Sequence, residues 1–167
     1  MSNSTYTLDE KLLVSRGARF LNYVIDQVFL MILLFALLFI SSLISGLLGS
    51  TSLSMWINGL GDFGWNIIYI TALIVYYITM EGFLGRTVAK YITGSIVVDE
   101  NGEIPSFGTI TKRTLCRCIP FDVLTYLGGS RGWHDSISDT YVVNKKALDE
   151  EVKSFHEFNL IGVKESN

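Results

Sequence analysis

The sequence predicts an all-α membrane protein, a two-span helical hairpin that carries a small cytoplasmic β-hairpin and an interfacial helix. Hydrophobic residues make up 49% of the 167 residues and charged residues only 17%, whereas an average soluble domain has about 25% charged residues. No Lys or Arg occurs between Phe20 and Gly85. Two apolar runs in this stretch are each long enough to cross a hydrocarbon core of roughly 30 Å.

The overall charge and the cysteine content exclude other classes of protein. A net charge of −3 argues against nucleic acid as a partner, because phosphate binding requires an excess of basic residues. Two cysteines cannot build a disulfide-stapled scaffold. The lipid bilayer is therefore the expected partner.

The first predicted span covers residues 20–48, in which 22 of 29 residues are apolar. The 13 residues from Val28 to Ile40 are apolar without interruption, whereas a helix in a soluble protein would show a polar stripe. The run is also longer than the apolar segment of a cleaved signal peptide. We therefore expect a transmembrane helix.

The second predicted span covers residues 63–83, and the loop at 49–62 has no basic residue. Basic residues precede the first span and follow the second, which places both termini in the cytoplasm by the positive-inside rule. These residues are Lys11, Arg16, Arg19, Arg86 and Lys90. The expected location is the bacterial inner membrane.

A small cytoplasmic module is predicted after the second span. Residues 91–98 have the β-branched composition of a strand, and Asn101-Gly102 suits a tight turn into a return strand from Ile104. Ser106 is a candidate N-cap for a helix that runs to about Ile119. That helix either lies among lipid headgroups with its bases toward phosphate or presents a solvated face.

The remaining segments complete the predicted organisation. Residues 114–129 contain Arg117, Pro120 and Asp122, so a partial insertion into the membrane is favoured over a full crossing. Residues 140–144 are predicted to form a short strand. The domains are a cytoplasmic segment at 1–15, a membrane domain at 16–144 and a cytoplasmic tail at 145–167.

Asp26 is the candidate functional residue with the strongest physical argument. It lies inside the first apolar run, on the same helical face as Asn22 and Arg19. An ionisable group at membrane depth is costly and normally forms a pair or lines a polar path. Two readings remain open: an ion- or proton-binding carboxylate, or a salt bridge that holds the hairpin at the interface.

No signal for a metal, a cofactor or an enzyme active site stands out. Cys116 and Cys118 form a single C-x-C pair, which cannot fill a tetrahedral zinc site. The segment at 85–90 lacks the residue order of a phosphate-binding loop. His134-Asp135 has no accompanying nucleophile elbow. We expect no metal, no cofactor and no enzyme activity.

Three segments together resemble the RDD family of bacterial membrane proteins. They are Arg19-Phe20-Leu21-Asn22-Tyr23-Val24-Ile25-Asp26, Gly85-Arg86-Thr87-Val88-Ala89-Lys90, and Trp133-His134-Asp135 with the following Thr140-Tyr141-Val142-Val143. The resemblance implies that Arg19, Asp26 and Asp135 are the arginine and the two aspartates for which the family is named. Ala89 departs from the glycine that the family often has there, and residues 121–129 are shorter and more charged than the third span of many members.

Two functions follow as hypotheses. The first is a non-catalytic module or subunit of a homo-oligomer or of an assembly with other membrane proteins. The second, implied by the antiport proposed for some family members, is an oligomeric transporter that exchanges a monovalent cation and a proton through Asp26 and Asp135. Secondary candidates for the same cluster are Asn22, Glu81, Arg113, Arg117 and His134.

Overall fold

Two long helices dominate the computed structural model, which describes residues 6–119, 122, 125 and 131–165. Helix α1 is Arg16–Leu47 and helix α3 is Gly61–Leu84. Both are long and apolar enough to cross a membrane, and the most apolar window of each is only 6% and 17% buried, respectively. A core helix of a soluble protein would be mostly covered, so this exposure favours a lipid environment.

Local signals begin and end these helices. The Ser15 side chain accepts a hydrogen bond from the backbone N–H of Ala18 at the start of α1, as an N-cap does. Helix α3 ends at Gly85, whose φ of +64° is a left-handed conformation that favours glycine. Between the two helices, the basic-free loop contains a short helix α2, Ser52–Gly59.

Helices α1 and α3 pack together through an aromatic cluster. Leu30 of α1 lies against Tyr76 and Tyr77 of α3, and all three are buried. Phe29 and Tyr69 pack at the edge of this cluster. The contact fixes which faces of the two helices are turned inward.

The predicted strand at 91–98 is wrong in its first half. Residues 91–93 belong to helix α4, Val88–Thr93, and only Ser95–Val98 form strand β1. Gly94 adopts a φ of +68° and ends the helix, so the β-branched residues on its two sides lie in different elements. Composition alone could not place this boundary, because Ile and Thr are tolerated in a short helix held by tertiary contacts.

The predicted β-hairpin is also wrong. The turn at residues 99–102 does form, and Gly102 has a φ of +77°. However, Ile104 is in no strand, and β1 instead pairs antiparallel with β2, Tyr141–Asn144, with Ile96 opposite Val143 and Val97 opposite Val142. The sheet therefore joins two segments that are distant in the sequence.

The described residues form three further helices, of which the last packs against β2. They are α5, Phe107–Cys116; α6, Trp133–Ile137; and α7, Lys145–Glu165. Ser106 caps α5 by accepting a hydrogen bond from the Thr109 backbone, as predicted, and α5 ends three residues earlier than expected. Half of the residues of the predicted partial insertion at 114–129 lie outside the described residues, so the insertion is not described.

The sheet, the N-terminal segment and α7 share an apolar core. Leu12, Val98, Val143 and Leu148 are buried together, and Tyr6 packs against them. The Tyr6 hydroxyl donates a hydrogen bond to Glu151 of α7. We refer to β1, β2, α6, α7 and residues 6–13 as the cap. The cap attaches to α1 through polar contacts rather than through this apolar core: Arg19 pairs with Asp135 of α6 and donates to the Val142 carbonyl of β2.

Candidate functional site: a buried charge cluster

The inward faces of α1 and α3 are polar where the cap meets them. Arg19, Asn22 and Asp26 are buried on α1, and their spacing of three and four residues places them on one helical face. Glu81 is buried near the end of α3. These residues form the charge cluster with Lys90, Arg113, Arg117, Asp122, His134 and Asp135.

Glu81 binds three basic side chains. Its Oε1 lies 2.5 Å from Lys90 Nζ and 3.0 Å from Arg117 Nη2. Its Oε2 lies 3.1 Å from Arg113 Nε. Because the Glu81 side chain is fully buried, an uncompensated carboxylate there would be very costly, and these cations supply the compensation.

Asp135 binds two arginines from different helices. Arg19 Nη1 is 2.6 Å from one carboxylate oxygen, and Arg113 Nη1 is 2.6 Å from the other. Arg113 thus bridges Asp135 and Glu81, and it also donates to the Thr140 hydroxyl at 2.6 Å. The Arg19 contact is also a hydrogen bond, and charge-assisted hydrogen bonds of this length are among the stronger ones in proteins.

Asp26 accepts hydrogen bonds from neutral donors. The Tyr76 hydroxyl lies 2.8 Å and the Ala89 backbone nitrogen 3.0 Å from Asp26 Oδ1. Asp26 therefore connects α1 to α3 and to the first turn of α4. Asn22, one turn earlier, accepts from Thr93 and donates to Ser95, which fastens α1 to the start of the sheet.

His134 links Asp135 to a further carboxylate. Its Nδ1 is 2.6 Å from Asp122 Oδ2, and its Nε2 is 3.3 Å from Asp135 Oδ1. Burial, reinforced by Arg117, lowers the pKa of His134 well below 6.5. Burial opposes ionisation of Asp122, but the hydrogen bonds and charge of His134 outweigh it and lower the pKa of Asp122.

Burial also lowers the pKa of the Lys90 ammonium, although the adjacent Glu81 carboxylate favours the charged form.

In the middle of the cluster lies a cavity of about 20 Å³, which both Asp26 and Asp135 line. A volume of this size accommodates about one water molecule. The two aspartates thus face the same small polar space.

Most of the residues predicted from the sequence come together here. Arg19, Asn22, Asp26, Arg113, Arg117, His134 and Asp135 all line the cavity, and Glu81 binds two of them. Sequence reasoning missed Lys90, Tyr76, Thr140 and Asp122 as members of the cluster. A signal existed for Lys90, because it follows the buried Glu81 by nine residues at the end of the stretch without basic residues.

The predicted orientation of the bases on α5 is wrong. Arg113 is buried and Arg117 is largely covered, so neither points to lipid phosphate nor forms a solvated face. Both turn inward because Glu81 offers a buried counter-charge that the local sequence does not reveal. Lys112, the residue before Arg113, is exposed, so the predicted orientation fails for Arg113 and Arg117.

The chemistry of the cluster is that of a cross-link. Ion pairs between arginines and carboxylates connect α1, α3, α5 and α6, and the Lys90–Glu81 pair connects α4 to α3.

Within the described part of the chain, no three His, Cys, Asp or Glu side chains are arranged to hold a metal ion. Cys116 and Cys118 are both free thiols.

Comparison with known proteins identifies the family of the chain. Neither a curated protein nor a solved structure matches the chain significantly. The model of the RDD family matches residues 13–153, which is most of the chain and includes every member of the charge cluster. Together with the two long apolar helices, this match shows that the chain belongs to the RDD family and is a membrane-type protein.

Proposed function

We propose that the protein is a non-catalytic module of the bacterial inner membrane, working in a homo-oligomer or with other membrane protein subunits. In this proposal α1 and α3 cross the bilayer as a hairpin. The charge cluster holds the cap against their cytoplasmic ends. The cap would then form a rigid cytoplasmic surface in a defined position relative to the membrane.

The observation that carries the proposal is the saturation of the two central carboxylates. Glu81 binds three basic side chains and Asp135 binds two. Removing one partner of a buried pair leaves an uncompensated charge, so such groups suit a permanent cross-link. A carboxylate that exchanges ions must instead release its partner in every cycle.

The distribution of basic residues supports the proposed orientation. Neither Arg16, the first residue of α1, nor Arg86, two residues after α3, is deeply buried, and both lie at the ends that carry the cap. The connection at the opposite end, including α2, has none. By the positive-inside rule, the cap and both termini lie in the cytoplasm.

Replacing Glu81 tests the proposal. We expect Glu81→Gln to lower the abundance of the protein in membranes and to dissociate the complex seen when the mass of the detergent-solubilised assembly is measured. Glu150→Gln is the matched control, since Glu150 is exposed on α7. A wild-type protein that is a lone monomer, or a Glu81→Gln variant with unchanged abundance and mass, would contradict the module.

The second candidate function is cation/proton exchange by an oligomer. The observation in its favour is that Asp26 and Asp135 line the same cavity and that Asp26 is held by neutral donors. Exchange predicts cation-driven proton flux in everted vesicles that Asp26→Asn abolishes at normal protein levels. Asp62→Asn is the control, because Asp62 is exposed at the start of α3. The module predicts no flux in any of these proteins.

A further inference from the structure

Helix α5 buries a charged side chain and exposes large apolar ones, unlike a typical helix on the surface of a soluble protein. Its buried face carries Arg113 and Thr114 beside Ile110, and Lys112 is its exposed charged residue. Its outer face carries Phe107 and Leu115, each 55% exposed. A helix bathed in water normally buries its apolar side and exposes its charges. The reversal indicates that the surroundings of the outer face are apolar.

Helix α4 shows the same reversal. Lys90 is buried in the charge cluster, whereas Tyr91 and Ile92 are 51% and 68% exposed. The Arg86 guanidinium lies 5.2 Å from the centre of the Tyr91 ring, where it can remain near headgroups while the ring extends inward. Two short helices on the same part of the molecule therefore each bury a basic side chain, Arg113 or Lys90, and expose large apolar side chains.

Contacts with α3 show how deep α5 lies. Near the start of α5, the Phe107 ring lies against Gly82 and 6.3 Å from the Phe83 ring. Just beyond its end, the Arg117 guanidinium stacks 4.2 Å from the centre of the Tyr77 ring. From Gly82 back to Tyr77 is five residues along α3, or about 7.5 Å toward its middle. Helix α5 thus runs beside α3, away from the α3 end and toward the bilayer centre.

We propose that the outer faces of α4 and α5 are embedded among the acyl chains of the cytoplasmic leaflet. The apolar surface is continuous with that of α3, where Phe83 is 75% exposed and contacts Phe107. A lipid hydrocarbon layer fits an apolar exterior around a charged interior. The charge cluster then lies within the leaflet, shielded from water by α4 and α5. This inference rests on the proposed residence in the membrane.

Spin labels test the inference in liposomes. The background is C116S/C118S, and single cysteines are placed at Leu115→Cys, Ile92→Cys and Lys112→Cys. Lys112 is the matched control because it lies on the same helix but lines a polar groove with Asp99 and Asp139 of the cap side. Ile32→Cys in α1 reports membrane residence, and Glu150→Cys in α7 reports water. Collision rates with oxygen and with a polar nickel chelate are measured for each label.

We expect a several-fold higher oxygen-to-nickel ratio at Leu115 and Ile92 than at Lys112 and Glu150, approaching the ratio at Ile32. Ratios at Leu115 and Ile92 equal to those at Lys112 would overturn the embedding while a high ratio at Ile32 preserves the proposed membrane residence. A low ratio at Ile32 would overturn both. Size-exclusion profiles of the labelled variants establish that each is folded. If the variant at Leu115 or at Ile92 does not fold, the other position still tests the embedding.

Discussion

At the scale of single residues, Asp135 is the acid on which the cluster depends most directly. It neutralises Arg19 and Arg113, which come from helices far apart in the sequence. We expect Asp135→Asn to lower the free energy of unfolding in detergent by about 3–5 kcal/mol, because two buried arginines lose a counter-charge. The measurement is a thermal or denaturant unfolding curve.

Asp149→Asn is the control for that prediction. Asp149 pairs with Lys145 on the exposed surface of α7, and surface pairs contribute at most about 1 kcal/mol. If Asp135→Asn unfolds at the same midpoint as Asp149→Asn, the carboxylate of Asp135 is not a structural cross-link.

Because His134 is buried with a lowered pKa, we expect the stability of the protein to depend on pH. The pKa of His134 is lowered in the folded protein, so below pH 6.5 the unfolded chain binds a proton that the folded chain does not. The free energy of unfolding therefore falls as the pH is lowered from 6.5 toward the folded pKa, by at most about 1.4 kcal/mol per pH unit. Above pH 7 this contribution is constant. Asp135, Asp122, Arg113 and Arg117 are the charged groups around the ring.

Unfolding midpoints at pH 7.5 and 5.5 check this expectation. Wild-type protein should lose stability between the two values, and His134→Asn should lose less. His156→Asn, at the exposed second histidine, should behave as the wild type does. An identical pH response in the wild type and in His134→Asn would assign the titration to another group.

At the scale of elements, the junction between α4 and β1 depends on a single backbone conformation. Gly94 has a φ of +68°, and a Cβ placed there would meet no atom within 4 Å. We expect Gly94→Ala to lower the free energy of unfolding by about 1–2 kcal/mol through backbone strain alone. Gly17→Ala in the first turn of α1, also in open space, should be neutral or slightly stabilising. Equal unfolding midpoints for the two variants would contradict this account of the junction.

The same junction explains why the strand at 91–98 was predicted too long. The residues on both sides of Gly94 are rich in β-branched side chains. Residues 91–93 are nevertheless helical, and contacts to the charge cluster hold this helix: Lys90 pairs with Glu81, and Thr93 donates to Asn22. The predicted strand at 140–144 is nearly correct: β2 is Tyr141–Asn144, which pairs with β1 on one edge and forms a bridge to Leu13 on the other. Its partner, however, was a matter of tertiary structure.

At the scale of the whole molecule, the proposed topology places α2 and α7 on opposite sides of the membrane. In the C116S/C118S background, we expect a membrane-impermeant maleimide added to spheroplasts to label Ser54→Cys in α2 but not Glu150→Cys in α7. Both positions are exposed. Lysed membranes should label both, which establishes that each thiol is reactive. Labelling of Glu150→Cys in intact spheroplasts would contradict the proposed topology.

The sequence by itself determined the family, the two long apolar helices and most members of the charge cluster. These properties are encoded in local composition: an absence of basic residues over 66 positions, helical spacing along α1, and three short motifs. Charged residues in an apolar stretch are identifiable without a structure, since their burial must be compensated whatever the fold.

Only the tertiary structure decided which charges meet. Arg19 pairs with Asp135 across 116 residues of sequence, and Arg113 turns inward to Glu81 although Lys112, the residue before it, is exposed. Ion pairs act over a few ångströms in space and carry no sequence periodicity. The packing of the helices and the cap around one buried carboxylate, Glu81, therefore determines three features. They are the partner of each charge, the pairing of β1 with β2, and the exposure of apolar side chains on α4 and α5.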